Sequence, residues 1–192
     1  TYTPDANYNG SDSFQWTASD GSLTSTAGTV NLTITNVNDA PTTSAVNVST
    51  DEDTAKAISL SGSDIDSGDT LTYSIVSDAS NGSTSLSGST VTYTPDTNWN
   101  GTDTFTFKAN DGTDDSNTST VTITVAAVND LPTTSNQSES ATEDLTKTIT
   151  LTSSDPDTGD TITYSIVSDV SNGTTSLSGS TVTYNSTSNW NG

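Results

Sequence analysis

Apolar residues along this chain alternate with polar ones, most regularly between residues 46 and 125. A period of two predicts half-buried β-strands, because successive side chains of a strand point to opposite faces of the sheet. No stretch of the chain has a comparable helical period. Six alternating segments are predicted to point the following side chains inward: Val46 and Val48; Ile58 and Leu60; Leu71, Tyr73 and Ile75; Val91 and Tyr93; Phe105, Phe107 and Ala109; Val121, Ile123 and Val125.

A seventh, short strand is predicted around Ser83 to Leu86, after the turn signal Asn81-Gly82. Clusters of Gly, Asn, Asp and Ser separate the seven segments, and Thr fills most outward positions. Seven short strands in roughly 90 residues indicate an all-β protein built from immunoglobulin-like Greek-key β-sandwiches. Trp99, Trp190 and Tyr8, one in each copy of a similar Asn-rich corner, are interpreted as core residues.

The sequence repeats with a period of 91 residues. Val37 and Val128 each begin the word Val-Asn-Asp-x-Pro, and Tyr2 and Tyr93 each begin the word Tyr-Thr-Pro-Asp. Constant spacing between near-identical words is the signature of a tandem repeat. Because Pro cannot continue a central strand, the Asn-Asp-x-Pro word is taken as the boundary between repeats. The chain then contains the second half of one repeat (1–42), a complete repeat (43–133) and the first part of a third (134–192).

The net charge of the chain limits the kinds of molecule that it can bind. The chain carries 24 acidic residues and three Lys, for a net charge of −21, and has no His or Cys. Such a chain cannot neutralise phosphates, so nucleic acid and anionic membranes are excluded as partners. No apolar run approaches the roughly 20 residues of a membrane-spanning helix. Low apolar content alone would favour disorder, but the regular placement of the apolar residues predicts a folded chain that attracts cations.

The predicted strand order gathers acidic side chains at both ends of a sandwich. The incoming linker shares its end with the loops that carry these residues: Asn38, Asp39, Asp64, Asp66, Asp69 and Asp111. The outgoing linker and the start of the next repeat bring together a second group: Glu52, Asp53, Asp96, Asn129, Asp130, Asp155, Asp157 and Asp160. Oxygen ligands without His or Cys suit a hard cation with six to eight ligands, so each junction is predicted to bind Ca²⁺.

Several of these short sequence motifs resemble the motifs of a known protein family. Asp64-Ile65-Asp66, Glu52 and Asn38-Asp39-Ala40-Pro41 resemble the cadherin motifs for Ca²⁺. Together with Leu-Thr-Tyr-Ser-Ile-Val-Ser at residues 71–77, they resemble the bacterial cadherin-like tandem repeats of giant biofilm-associated and RTX-type surface adhesins. This resemblance implies Ca²⁺ ligands at two sets of positions: Asp5, Asn38, Asp39, Asp64, Asp66 and Asp111, and then Glu52, Asp96, Asn129, Asp130, Asp155 and Asp157.

The chain also departs from the cadherin pattern. Its linker lacks the second Asn of the full cadherin linker word, and Val37 or Val128 precedes the Asn that remains. In the third repeat, Thr187 stands where the second has Asp96. The outgoing end of the third repeat is therefore expected to bind Ca²⁺ more weakly.

The leading hypothesis is a Ca²⁺-stiffened spacer, or stalk, in a long extracellular adhesin or surface fibre on a bacterial cell. Its partners would be neighbouring repeats of the same protein, with a surface glycan bound through other domains. One alternative is a filament in which residues 134–192 and 1–42 of neighbouring copies complete one sandwich. A carbohydrate- or surface-binding adhesin module is a second alternative. Catalysis is not expected, because the paired carboxylates lie in solvated loops, whereas a general acid needs burial to raise its pKa.

Overall fold

A computed structural model describes residues 1 to 189, and the regular elements in this range are β-strands. These residues contain no helix, and therefore none that is long and apolar enough to cross a membrane. The chain divides into two compact units, the first covering Thr1–Ala126 and the second beginning at Ala127. Trp190, which the sequence places at a core corner, lies outside the described residues.

The first unit opens with an antiparallel hairpin of two strands, β1 (Gly10–Trp16) and β2 (Gly28–Ile34). Phe14 is opposite Val30, so their side chains share one face of the hairpin. On this face Phe14 remains 49% exposed and Trp16 54% exposed. The apolar face of the hairpin is thus largely open.

A complete β-sandwich follows the hairpin. Its strands are β3 (Thr42–Thr43), β4 (Val46–Asp51), β5 (Lys56–Ser59), β6 (Gly62–Ser63), β7 (Thr72–Ser77), β8 (Gly82–Ser87), β9 (Thr90–Pro95), β10 (Gly101–Asn110) and β11 (Ser119–Ala126). One sheet has the order β4-β11-β10-β7 and the other β5-β9-β8. Strand β4 is parallel to β11, and the other pairs are antiparallel. The prediction of seven strands is confirmed, and a two-residue pair, β3 with β6, adds to them.

The core lies between the two sheets and consists of the predicted inward-facing residues. Phe105, Phe107 and Val121 are fully buried on one sheet, and Val91 and Tyr93 on the other. Ile58, Leu60, Ile123 and Val125 complete the buried cluster, and Trp99 packs against it. Burial alternates strictly along β11, as period two requires. The apolar core is small, so polar contacts inside it contribute substantially to the stability of the fold.

A buried carboxylate joins the two sheets. Asp103 is only 3% exposed, and its oxygens accept hydrogen bonds from the backbone N–H groups of Ser80, Asn81 and Thr104 at 2.8–3.0 Å. The Tyr93 hydroxyl donates a fourth hydrogen bond at 3.1 Å. Burial raises the pKa of Asp103, but these donors outweigh burial and hold the pKa below its usual value. Asp103 is therefore ionised in the core at neutral pH.

The second unit repeats part of this pattern. Its strands are β12 (Thr133–Thr134), β13 (Thr146–Thr150), β14 (Ser153–Ser154), β15 (Gly173–Ser178) and β16 (Thr181–Ser186). They form a three-stranded sheet, β13-β16-β15, and a short pair, β12-β14. The register is that of the complete sandwich: Lys147 faces Tyr184 as Lys56 faces Tyr93. Residues 137–142 and 163–168, the counterparts of β4 and β7, form no strand.

The Asp103 network leads to a stability prediction. We expect Asp103→Asn to lower the free energy of unfolding at pH 7 by about 2–3 kcal/mol, because the new amide cannot accept all four hydrogen bonds. Asp12→Asn, at the same repeat position on the exposed hairpin, should change it by less than about 0.5 kcal/mol. Urea unfolding followed by circular dichroism measures both. Equal effects of the two substitutions would contradict this role of Asp103.

The same hydrogen bonds make the free energy of unfolding depend on pH. The folded pKa of Asp103 is below that of the unfolded chain, so its contribution is fully present above about pH 4 and is lost as the pH falls further. The difference in stability between the parent chain and Asp103→Asn should therefore shrink when unfolding is measured at pH 3 instead of pH 7. A constant difference across this range would show that the Asp103 charge is not involved.

Candidate metal centre

Three carboxylates converge in the loop between β6 and β7. One oxygen from each of Asp64, Asp66 and Asp69 lies within 4.8 Å of the other two. The loop is held by a local turn in which the Asp66 N–H donates to Asp64 Oδ1 at 2.9 Å. Asp66 is only 8% exposed, whereas Ile65, between the two aspartates, is 60% exposed. The Asp-x-Asp spacing thus turns two carboxylates toward the same side.

The incoming linker contacts this loop and the loop between β10 and β11. The Asp39 N–H donates to Asp66 Oδ2 at 2.7 Å. The side-chain amide of the adjacent Asn38 donates to Asp111 at 2.9 Å and to Asp114 at 3.0 Å. These bonds define one group, here called the linker cluster, which consists of Asn38, Asp39, Asp64, Asp66, Asp69, Asp111 and Asp114. The predicted convergence of the linker with both loops is therefore present in the structure.

The loop between β10 and β11 turns around Asp111. Its Oδ1 accepts hydrogen bonds from the N–H groups of Thr113 and Asp114, at 2.6 and 2.7 Å. The Asp114 N–H contributes most to lowering the pKa of Asp111, followed by the Asn38 amide and the Thr113 N–H. The sequence analysis did not identify Asp114, because Leu23 occupies the equivalent position in the first repeat. The sequence feature that could have identified Asp114 is the short turn Asp-Gly-Thr-Asp, which brings the second carboxylate back beside the first.

One oxygen of the linker cluster lacks a partner. Within residues 1–189, Asp64 Oδ2 is the buried side-chain oxygen for which the structure provides no hydrogen-bond donor. Leaving a carboxylate oxygen buried without a donor or cation costs free energy. The ion pairs of the described chain join Lys108 to Asp115 and Lys147 to Glu139, so neither reaches the linker cluster. The donor set and the partnerless oxygen together fit a hard cation.

The second unit contains the same arrangement. Oxygens of Asp155, Asp157 and Asp160 lie within 4.8 Å of one another. The Asp157 N–H donates to Asp155 at 3.0 Å, and the Asp130 N–H donates to Asp157 Oδ2 at 2.6 Å. Asn129 differs from Asn38, because its amide donates to the Asp130 carbonyl at 2.9 Å. The carboxylate geometry is thus a property of the repeat and not of one loop.

Other predicted ligands lie at the opposite end of the complete sandwich. Glu52 is 4% exposed, and its N–H donates to the Ala126 carbonyl at 2.9 Å. Asp53 accepts a hydrogen bond from the Asn98 N–H at 3.1 Å, which joins its loop to the turn that begins at Asp96. In the second unit the Asn189 N–H bonds to Asp144 in the same way, at 3.2 Å. These two loops meet as the strand order predicts.

The contacts of Asp5 are with residues of its own turn and not with the linker cluster. Its carbonyl accepts the Tyr8 N–H at 3.2 Å, and its charge contributes to a rise in the pKa of Tyr2 to about 12, for which the hydrogen bond from Tyr2 to Asp12 is the main cause. No hydrogen bond found within residues 1–189 joins Asp5 to Asn38 or Asp39. The assignment of Asp5 as a ligand of the first junction therefore stays a prediction.

Comparison with known proteins supports the fold. The sequence profile of bacterial Ig domains matches residues 38–124 and 129–192, and that of cadherin-like domains matches residues 1–35. No curated protein sequence matches the chain significantly.

Solved structures provide three further similarities. An endo-fucoidan hydrolase of glycoside hydrolase family 107 is 26% identical over 65% of this chain and 20% of its own, with a TM-score of 0.40. Drosophila N-cadherin is 14% identical over 97% of this chain and 52% of its own, with a TM-score of 0.44. Protocadherin gamma B7 is 18% identical over 88% of this chain and 49% of its own, with a TM-score of 0.47. The chain thus spans between a fifth and about half of these proteins.

Family membership rests on the profile match, which covers well over half of the chain in two successive copies. The prediction of bacterial cadherin-like repeats agrees with it and is confirmed. Domains of these two kinds are typical of extracellular and surface proteins, in adhesive or structural repeats. The chain belongs to the bacterial Ig domain family, as a tandem array of cadherin-like repeats.

Proposed function

We propose that this chain is a Ca²⁺-stiffened spacer in a long extracellular adhesin or surface fibre of a bacterium. The observation that carries the proposal is the repeated carboxylate geometry: Asp64, Asp66 and Asp69 recur as Asp155, Asp157 and Asp160 with the same hydrogen bond from the linker. Two copies at a spacing of 91 residues favour a role that every repeat performs. Stiffening of each linker is such a role.

Ca²⁺ is the cation that best suits the linker cluster. Six to eight oxygen ligands in flexible geometry are typical of Ca²⁺, whereas Mg²⁺ demands a compact octahedron and retains water. Zinc sites are built mainly from Cys and His, which this chain lacks. The ion would supply positive charge and bind the partnerless Asp64 Oδ2. The proposed ligands of the first site come from Asn38, Asp39, Asp64, Asp66, Asp69, Asp111 and Asp114.

Bound Ca²⁺ would stiffen the linker through electrostatics. Without a cation, carboxylates about 4 Å apart repel by about 1–4 kcal/mol per pair, depending on the local dielectric. This repulsion acts on the same loops that hold Asn38 and Asp39 by hydrogen bonds. A cation that neutralises the loops would therefore hold the linker at a fixed angle to the sandwich that follows it.

The proposal extends to the other predicted ligands. In the second unit Asn129, Asp130, Asp155, Asp157 and Asp160 would hold the next ion. Glu52, Asp53 and Asp96 are kept as further candidates on the predicted strand order, and Asp5 on the family resemblance. The proposed repeat limits remain 1–42, 43–133 and 134–192.

A structural role is proposed in preference to catalysis. A general acid needs a raised pKa, whereas the pKa of the buried Asp103 is lowered by its donors, and that of Asp169 is lowered by the Thr175 hydroxyl and the Val170 N–H. The proposed partners are neighbouring repeats, and a surface glycan would be bound through other domains of the parent protein.

Chelation provides the first test. Ca²⁺ at 100 times its dissociation constant should stabilise the folded chain by about 2.7 kcal/mol, which raises the melting temperature relative to EGTA. Differential scanning calorimetry at matched ionic strength measures the shift, with Mg²⁺ as the control that should produce a smaller one. Identical melting curves in Ca²⁺ and EGTA would rule out the proposed site.

Substitution of one carboxylate provides the second test. Asp66→Asn keeps an oxygen to accept the Asp39 N–H but removes a charge, so it should weaken Ca²⁺ binding at the first site by roughly tenfold or more. Asp78→Asn is the matched control, because Asp78 contacts Thr84 away from the linker cluster. Isothermal titration calorimetry measures both variants. Equal Ca²⁺ affinity in the two would contradict the assignment of Asp66 as a ligand.

A further inference from the structure

The segment that enters the complete sandwich is fastened by one side chain, that of Asn117 in the loop between β10 and β11. Asn117 Oδ1 accepts the Thr43 N–H at 3.0 Å, and Asn117 Nδ2 donates to the Thr43 carbonyl at 3.0 Å. Backbone N–H and carbonyl groups in a sheet are normally paired with those of a neighbouring strand. Here a side-chain amide takes the place of that strand.

Two hydroxyl groups extend this pairing into the protein. The Thr43 hydroxyl donates to the Asn117 carbonyl at 2.9 Å and lies 2.8 Å from the Ser119 hydroxyl. Thr43 and Ser119 are both buried, at 8% and 6% exposed. The contacts among Thr43, Asn117 and Ser119 are here called the Asn117 clasp. Together they satisfy the N–H, the carbonyl and the hydroxyl of Thr43.

Strand β3 is also packed on its other side. Thr42 is opposite Ser63 of β6, and Thr43 is opposite Gly62. A Cβ atom added to Gly62 would lie 3.0 Å from the Thr42 carbonyl oxygen, so β6 approaches β3 closely at this glycine. Pro41, at the start of the segment, is fully buried. The entering segment is therefore fixed by β6, by burial and by the Asn117 clasp.

The Asn117 clasp is built from uncharged groups, so its hydrogen bonds need no cation. The linker cluster just before it differs, because there Asn38 and Asp39 bind carboxylates. The clasp is also not common to every repeat. Thr26 and Gly28 occupy the positions of Asn117 and Ser119 in the first repeat, which therefore has no amide to form it.

The strand that follows β3 is arranged to resist tension along the chain. Strand β4 is parallel to β11, with Val46 opposite Val121 and Asp51 opposite Ala126. Tension on the two linkers pulls these strands in opposite directions along their axes, so the evenly spaced hydrogen bonds of a parallel pair are loaded together. Because β3 precedes β4, tension on the incoming linker reaches the Asn117 clasp first.

We propose that the Asn117 clasp is a metal-independent anchor, which holds the incoming linker on the sandwich and passes tension into the β4–β11 pair. Asn117 acts as a positioning residue for Thr43. The load-bearing role rests on the proposed spacer function, since tension arises only in a chain held at both ends. The anchor itself does not, because it forms without Ca²⁺. Removal of Ca²⁺ would then soften the linker while β3 stays attached.

Hydrogen exchange measured by NMR in EGTA tests the anchor. The Thr43 N–H should be protected in the parent chain and should exchange roughly tenfold or more faster in Asn117→Ala, which removes its acceptor. The control is Asn110→Ala, which removes two side-chain hydrogen bonds from the same loop and should leave Thr43 exchange unchanged. Fast exchange in the parent chain, or equal exchange in the parent chain and Asn117→Ala, would overturn the proposal. Failure of the Ca²⁺ site would leave this result unchanged.

Single-molecule force spectroscopy tests the load-bearing role. Because the native chain has no cysteine, Ala40→Cys and Ala127→Cys can attach handles just before β3 and just after β11. At constant force in EGTA, Asn117→Ala should make the sandwich unfold roughly tenfold or more faster, since the lost hydrogen bonds lie in the path of the force.

A second pulling direction separates load bearing from general stability. Handles at Ser89→Cys and Thr113→Cys load β9 and β10 and bypass β3. Asn117→Ala should then change the unfolding rate by less than about twofold, because the clasp is still intact when those strands separate. Equal acceleration in both directions, or none along the chain, would reject the load-bearing role of Asn117.

Discussion

Repulsion among carboxylates is the constraint on which the rest of this structure depends. The chain has a net charge of −21, and it brings three carboxylates together beside each linker. Backbone and amide donors hold some of these oxygens, as the Asp39 N–H holds Asp66. Asp64 Oδ2 is buried and receives no hydrogen bond from residues 1–189. A cation from solution is the simplest partner that completes this arrangement.

The thin apolar core makes each sandwich dependent on its polar contacts and on its final hairpin. Within the complete repeat, Asp103 accepts hydrogen bonds from three backbone N–H groups and from the Tyr93 hydroxyl, and so links the two sheets. In the same repeat β7 pairs with β10, with Ile75 opposite Phe107. The hairpin therefore contributes both core side chains and the backbone partners of a neighbouring strand.

Much of this architecture follows from the sequence. Period two located six of the seven strands, and the turn signal Asn81-Gly82 located the seventh. The near-identical repeated motifs established which residues of the two units correspond. The two-residue pair β3–β6 was missed, since so short a segment shows no period. Asp103 was also missed, although it shares the inward parity of Phe105 and Phe107; burial of a charge is visible only once its four donors are placed. Asp114 was missed because the first repeat forms the same turn around Asp20 but has Leu23, and no carboxylate, at the equivalent position.

The most direct test of the central claim is a crystal structure of this chain grown in Ca²⁺, with anomalous difference density recorded beside the linker. The account predicts one ion that contacts Asp64 Oδ2 and Asp66, with six or more oxygens at about 2.4 Å. A lysine or a bulk-water channel against Asp64 Oδ2, with no anomalous peak, would contradict it.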